Sequence, residues 1–130
     1  IIESQSVDEF YQLFASKASA YWETHYTFDN PSEYKIKRLG STAIELLIIN
    51  LVAPLLVAYN RRRTDYGQLD KPFDFLYRVK GENNVITRKW NEHGIPINSA
   101  ATSQGLIELK TRYCDFKRCL NCRIGKELLK

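Results

Sequence analysis

The 130-residue chain contains no methionine, three cysteines, four prolines and six glycines. Without a Met, Ile1 is not a translation start, so the chain reads as the C-terminal fragment of a longer protein. Three thiols are too few, and of the wrong parity, for a disulfide-stapled secreted mini-protein. The scarcity of Gly and Pro excludes collagen-like and linker-dominated architectures. No stretch sustains an alternation of period two, and there is no internal repeat. The N-terminus is polar and acidic, with Glu3, Asp8 and Glu9, and carries no signal peptide; a cytoplasmic location is the expectation. A Walker loop, G-x-G-x-x-G, H-E-x-x-H and a nucleophile elbow are all missing from the sequence. No catalytic residue is therefore assigned, and whether the chain is an enzyme stays open.

What remains is ordinary globular material. Hydrophobic residues make up 44% and charged residues 26%, enough for one domain over residues 1–130 with a single sizeable core. The net charge of +4 is unevenly placed: residues 66–130 hold 12 basic and 7 acidic side chains, whereas residues 1–65 hold 7 and 8. A basic end of this kind is the minimum footprint for nucleic acid, and it is equally what a solvated helix face looks like. Candidate phosphate contacts are Arg61, Arg62, Arg63, Lys117, Arg118 and Arg123.

Helical spacing dominates the pattern. Ser6 and Glu9 form a capping box opening a helix from about Val7 to Tyr21. A connecting loop covers 29–40. Ser41, as N-cap, starts a central helix over about 41–60, buried on all sides and kinked by Pro54, with Arg61–Arg63 near its C-terminal end. Its segment Ala43–Tyr59 is apolar enough for a membrane check. It is short for a span and contains Glu45, Asn50 and Pro54, so a buried soluble helix is the better reading. Asp70-Lys71-Pro72 starts a helix facing inward through Phe73, Leu76 and Tyr77. A further helix runs from Glu82 to His93, closed by Gly94. Ser99 or Thr102 caps the next, whose Leu106, Leu109 and Tyr113 face inward. A last helix begins near Cys119 and bears Leu120, Ile124 and Leu128. The expected fold is all-α: a compact bundle of five or six helices around the central one.

The sharpest local motif is Cys114-x4-Cys119-x2-Cys122. Closely spaced thiols suit a soft metal, so zinc or an iron–sulfur cluster at Cys114, Cys119 and Cys122 is a candidate cofactor. The fourth ligand would be His93, His25, water or another part of the full protein. Three reduced thiols, or a redox pair, are the competing readings. The aromatic run from Tyr21 to Tyr26 around His25 reads as core at a helix end, against a base-stacking or pocket role. Asn50 reads as a buried amide bonded to a loop backbone, with an independent pocket near His25, Tyr26 and Asn50 as the weakest enzyme reading.

The thiol motif is similar to the C-terminal iron–sulfur loop of helix-hairpin-helix DNA glycosylases. Those enzymes use four thiols, Leu128-Leu129 stands where a fourth would fall, and no catalytic hairpin signature is present. Taken together, YWETHYTFDNPS, KRLGSTAIELLIINLVAPLLVAY and SQGLIELKTRYCDFKRCLNCRIGKELL resemble the C-terminal third of an uncharacterised bacterial domain-of-unknown-function family. The likeness runs from about Val7 to Leu129 and is weaker over 61–80. Full-length members have an upstream half resembling PD-(D/E)xK nucleases. The resemblance thus implies a helical accessory that handles nucleic acid for that half, or a structural module packing on its own upstream domain without an activity of its own. Partners implied are the upstream domain and nucleic acid, with no membrane.

Overall fold

The computed structural model describes residues 1–62 and 70–129, and among these the fold is helical with one minimal hairpin. The elements are α1 (Val7–Leu13), α2 (Ala20–Glu23), β1 (His25–Thr27), β2 (Asn30–Pro31), α3 (Ser41–Arg62), α4 (Asp70–Arg78), α5 (Val85–Glu92), α6 (Ala100–Glu108) and α7 (Arg123–Leu128). α6 continues as a wide turn over Leu109–Cys114, and a 3-10 turn over Cys119–Asn121 precedes α7. The all-α expectation holds, with seven helical stretches in place of five or six.

α1 starts as the sequence indicates. The Glu9 amide donates to the Ser6 hydroxyl at 3.4 Å, while the Glu9 carboxylate accepts from the Gln5 amide at 3.1 Å. It stops at Leu13 instead of running to Tyr21. The chain beyond it pairs across space: the Ala18 amide donates to Lys37 O at 2.8 Å and the Leu39 amide to Ser16 O. These bonds satisfy the backbone in an extended form, so helix propensity loses to tertiary pairing. The hairpin β1–β2 turns through Asp29, whose φ of 57° lies in the left-handed region that Asp tolerates.

α3 is the axis of the fold, and Gly40 stands at its N-cap where Ser41 was expected. Pro54 does not break it. Residues Ile48–Val52 widen into a π turn, with the Ala53 amide bonding back to Ile48 O. Pro54 has no amide to give and its ring crowds the carbonyl four residues back. A π turn just ahead of it re-registers the ladder and carries the helix on to Arg62.

The core gathers Val7 and Phe10 from α1, Ile44, Ile48, Ile49, Val52 and Leu56 from α3, and Phe75 and Val79 from α4 and its end. Ala100 completes it from α6. Phe10 meets Phe75 edge to face at 5.3 Å, a favoured geometry for two buried rings. Each such side chain removed from water contributes roughly 1.5–3 kcal/mol. On α4 the inward residues are Pro72, Phe75 and Val79, while Phe73 and Tyr77 point outward. The expected face of 73, 76 and 77 is therefore correct only at Leu76, which is half-buried against the core.

Polar groups lock α5 and α6. Asn84 caps α5, accepting from the Ile86 and Thr87 amides at 2.9 and 3.0 Å, and Thr87 returns the bond to the Asn84 amide. The Ser99 hydroxyl accepts the Thr102 amide at 3.2 Å. Glu82 ties the two helices, accepting from Asn84 at 3.1 Å and from Gln104 at 3.0 Å. Gly94 follows α5 with φ +82°, the left-handed conformation a helix end asks of glycine. Among the described residues no buried side-chain nitrogen or oxygen lacks a partner.

Candidate functional site

The largest departure from expectation lies on α3. Its residues Ser41–Arg62 are long and apolar enough to cross a membrane, with a mean hydropathy of 2.0 over the best window, yet only 33% of that window is buried. One face carries Ile44, Ile48, Val52 and Leu56 into the core. The opposite side leaves Leu46, Leu51 and Leu55 between 42% and 48% exposed. The helix is thus buried on one side, not on all. Asn50 belongs to the open side, where its amide donates to Leu46 O at 3.0 Å. The buried amide of the helix is Asn60, at 6% exposure. Beside this face α4 forms a groove of about 510 Å³, lined by Ile49, Pro54, Val57, Phe73, Leu76 and Arg61. Phe73 is 53% exposed there. Among the described residues the arrangement is a set of exposed leucines on α3 and an apolar groove whose lining includes Arg61.

On the buried side the Tyr11 hydroxyl donates to the Glu45 carboxylate at 3.1 Å. Burial, then the bond to Glu45 and its charge, raise the Tyr11 pKa above its ordinary value. The bond anchors α1 to the early turns of α3 and gives Glu45 a role in packing.

The three thiols do not share one surroundings. Cys114 ends the π turn and lines a cleft of about 420 Å³ with Val85, Ile86, Trp90 and His93, flanked by Lys89 and Lys110. His93 Nδ1 lies 2.7 Å from Lys89 O. A carbonyl only accepts, so Nδ1 carries the proton and a neutral ring keeps its lone pair on Nε2. Cys119 and Cys122 sit beyond, in the turn before α7, the first exposed and the second half-buried. Among the described residues no group of three or more His, Cys, Asp or Glu side chains is gathered to hold a metal ion. The structure places the sequence's candidate His93 beside Cys114 alone.

The candidate cations also divide. Arg61 and Arg62 are exposed at the C-terminal end of α3, and Arg63 lies outside the described residues. Lys117, Arg118 and Arg123 are exposed in the final segment. The Arg118 guanidinium stands 5.0 Å from the Phe116 ring and shares a polar cleft with Arg112, Tyr113 and Asn121. Arg112 is itself paired with Glu108 at 3.6 Å.

The aromatic run read as core lies at the surface. Tyr21 stacks on His25 with centroids 4.1 Å apart and 7° between planes, and Trp22 meets Phe28 edge to face at 5.0 Å. Phe28 is 74% and Tyr26 65% exposed. The Lys37 ammonium stands 3.4 Å from the Tyr26 centroid. The rings fasten the hairpin to α2 in place of a core. Sequence reasoning had no signal for this, because ring content alone does not say which side of the hairpin meets the body of the fold.

The family model described as "Protein of unknown function (DUF2851)" matches residues 1–85. The chain belongs to this family. The match covers α1 to α4 and both strands, including the apolar side of α3 and the surface aromatics, and it supports the coarser part of the resemblance, an uncharacterised domain-of-unknown-function family. The three cysteines, which that resemblance also used, lie beyond the matched residues. No curated protein and no solved structure matches the chain.

Proposed function

We propose that this DUF2851 segment is a structural and interaction module, seated through the open side of α3 against another unit of its own polypeptide. One observation carries the reading: a 22-residue apolar helix whose most apolar window is only 33% buried, with Leu46, Leu51 and Leu55 exposed on it and Phe73 exposed on the neighbouring α4. Exposed apolar surface on this scale favours an interface, because leaving it in water forgoes roughly 25 cal/mol for each Å². The neighbouring groove supplies relief into which a partner's side chains fit.

The test compares accessibility. Leu51→Cys and Leu55→Cys, each made in a background with the native cysteines replaced by serine, are labelled with a maleimide. Labelling is expected to be fast in residues 1–130 alone and slowed about tenfold or more in the uninterrupted polypeptide. Equal labelling in both removes the proposal, and protection that appears only on adding lipid vesicles assigns the face to a membrane surface.

A second reading is favoured by the exposed Lys117, Arg118 and Arg123 in the final segment. In it the module also holds nucleic acid for a nuclease-like neighbour, with phosphate contacts from these side chains together with Arg61 and Arg62. Affinity would then fall steeply between 50 and 200 mM salt through counterion release, by on the order of tenfold or more for a few contacts. A chain that ignores single- and double-stranded nucleic acid at low salt loses this reading and leaves the first untouched.

A further inference from the structure

Nine residues contain all three thiols, and the fold separates them one from two. Cys114 faces the cleft that holds His93 and Trp90. Cys119 and Cys122 instead close a turn of their own, the Cys122 amide donating to Cys119 O at 3.1 Å. A four-residue turn bonded in this way holds its end Cα atoms within about 7 Å. A disulfide spans about 4.4–6.8 Å between Cα atoms, so the two thiols can be bridged with little movement of the backbone.

The turn is also held from the side. α7 begins at Arg123, directly after Cys122, and brings Gly125 flat onto Cys119. A Cβ at Gly125 would stand 2.8 Å from the Cys119 Cα and collide with its carbonyl oxygen. Glycine is therefore required for α7 to close over the turn. Cys119 is exposed and Cys122 half-buried, which distinguishes an attacking sulfur from a resolving one. Lys117, Arg118 and Arg123 flank the pair in sequence, and cations there raise the local concentration of an anionic reagent.

We propose that Cys119 and Cys122 form a thiol–disulfide exchange site whose substrates are small anionic disulfides. The Cys119 thiol loses its proton to solvent, and its sulfur attacks one sulfur of the reagent. The reagent's S–S bond breaks, a mixed disulfide forms, and the first leaving thiolate takes up a proton. Cys122, also deprotonated, then attacks the Cys119 sulfur; the chain closes its own disulfide and expels the second thiolate, which is protonated in turn. Two protein thiols are oxidised and one disulfide is reduced to two thiols, so electrons and protons balance. Exchange of this kind depends on thiolate access and on which sulfur is attacked. Cys114 takes no part.

The experiment uses the 130-residue chain and oxidised glutathione. Titration is expected to lower the free-thiol count from three to one, with a mass loss of two hydrogens, a peptide map joining Cys119 to Cys122, and full reversal by dithiothreitol. Cys122→Ser should trap a glutathione adduct on Cys119, Cys119→Ser should slow the first step about tenfold or more, and Cys114→Ser should change neither. Gly125→Ala should retain the far-ultraviolet circular dichroism of the body while slowing ring closure after the first attack. Three thiols that stay free overturn the proposal, as does a bond involving Cys114 or a covalent dimer. One equivalent of zinc or iron bound by these thiols in anaerobically purified protein overturns it too, in favour of a metal centre.

Discussion

The body of the fold and its final segment are built on different terms. From Ile44 to Ser103 the described chain buries a residue at nearly every helical turn, and the polar groups that go inside are bonded. From Gln104 to Leu129 it buries none. The final segment is not polar, for Phe116, Leu120, Ile124 and Leu128 are 56% to 81% exposed. Periodic apolar residues are thus necessary for a core and insufficient for one. They need a facing surface, which α3 provides for α1 and α4, and α4 and α5 for α6, whereas among the described residues α7 meets chiefly the small turn at Cys119–Asn121. Beyond Cys114 the segment is held by short-range turns and the contact of Gly125 with Cys119, and it is expected to open at lower free energy than the body.

The sharpest way to break this contrast is to delete matching rings and side chains from both regions. Phe10→Ala, at a site with 0% exposure packed on Phe75, is expected to lose about 3–5 kcal/mol in urea unfolding. Leu128→Ala, at 81% exposure, should stay within about 0.5 kcal/mol of the parent. Comparable losses at the two positions would mean that the final segment packs after all. Next in size is Gly81→Ala, whose added Cβ would meet Ile97 Cγ2 at 2.5 Å and Ser99 O at 2.9 Å. Thermal melts should show a loss of about 1–3 kcal/mol from overpacking between α4 and α6. A smaller effect is expected for Asn84→Ala. It removes both accepted amide bonds at the start of α5 and should lower unfolding free energy by about 1 kcal/mol.

The smallest effect concerns the join between α1 and α3. The Tyr11 pKa is raised in the fold by burial first and then by Glu45. The unfolded chain therefore releases this proton at lower pH than the folded chain does. Its contribution is fully present below the ordinary tyrosine value near 10 and is lost as pH rises through the folded value. Melting midpoints followed from pH 8 upward should fall more steeply for the parent than for Tyr11→Phe. Parallel curves would show that the hydroxyl is not held by Glu45.

Much of the fold was legible because local rules and tertiary contacts agree over long stretches. The Ser6 and Ser99 caps, the helix through Ile86 and Trp90 and the stop at Gly94 are all local signals, and the structure honours each. The failures have a common cause, since sequence spacing does not reveal what lies opposite an element. Asn50 and Asn60 are both amides in an apolar helix, and only packing decides that the second is inside. The early end of α1 goes with pairing of residues 16–18 to residues about twenty positions away, beyond the reach of a helical pattern, and the hairpin at 25–31 rests on a local turn through Asp29. The candidate site was less legible than the fold. Counting cysteines gives one cluster of three, whereas the backbone sends Cys114 toward His93 and leaves the other two in a separate turn.

The widened turn at Ile48–Val52 changes what shortening or lengthening α3 would do. A π turn is, in effect, one inserted residue, and each residue of an α-helix corresponds to about 100° of rotation. Deleting a single residue between 48 and 52 would thus let the ladder return to α geometry while keeping Leu56 and Asn60 on the side of Ile44. It would also set the Pro54 ring against the carbonyl four residues back, which bends a regular α-helix. A deletion outside that turn would instead rotate one end of the helix against the other by about 100°.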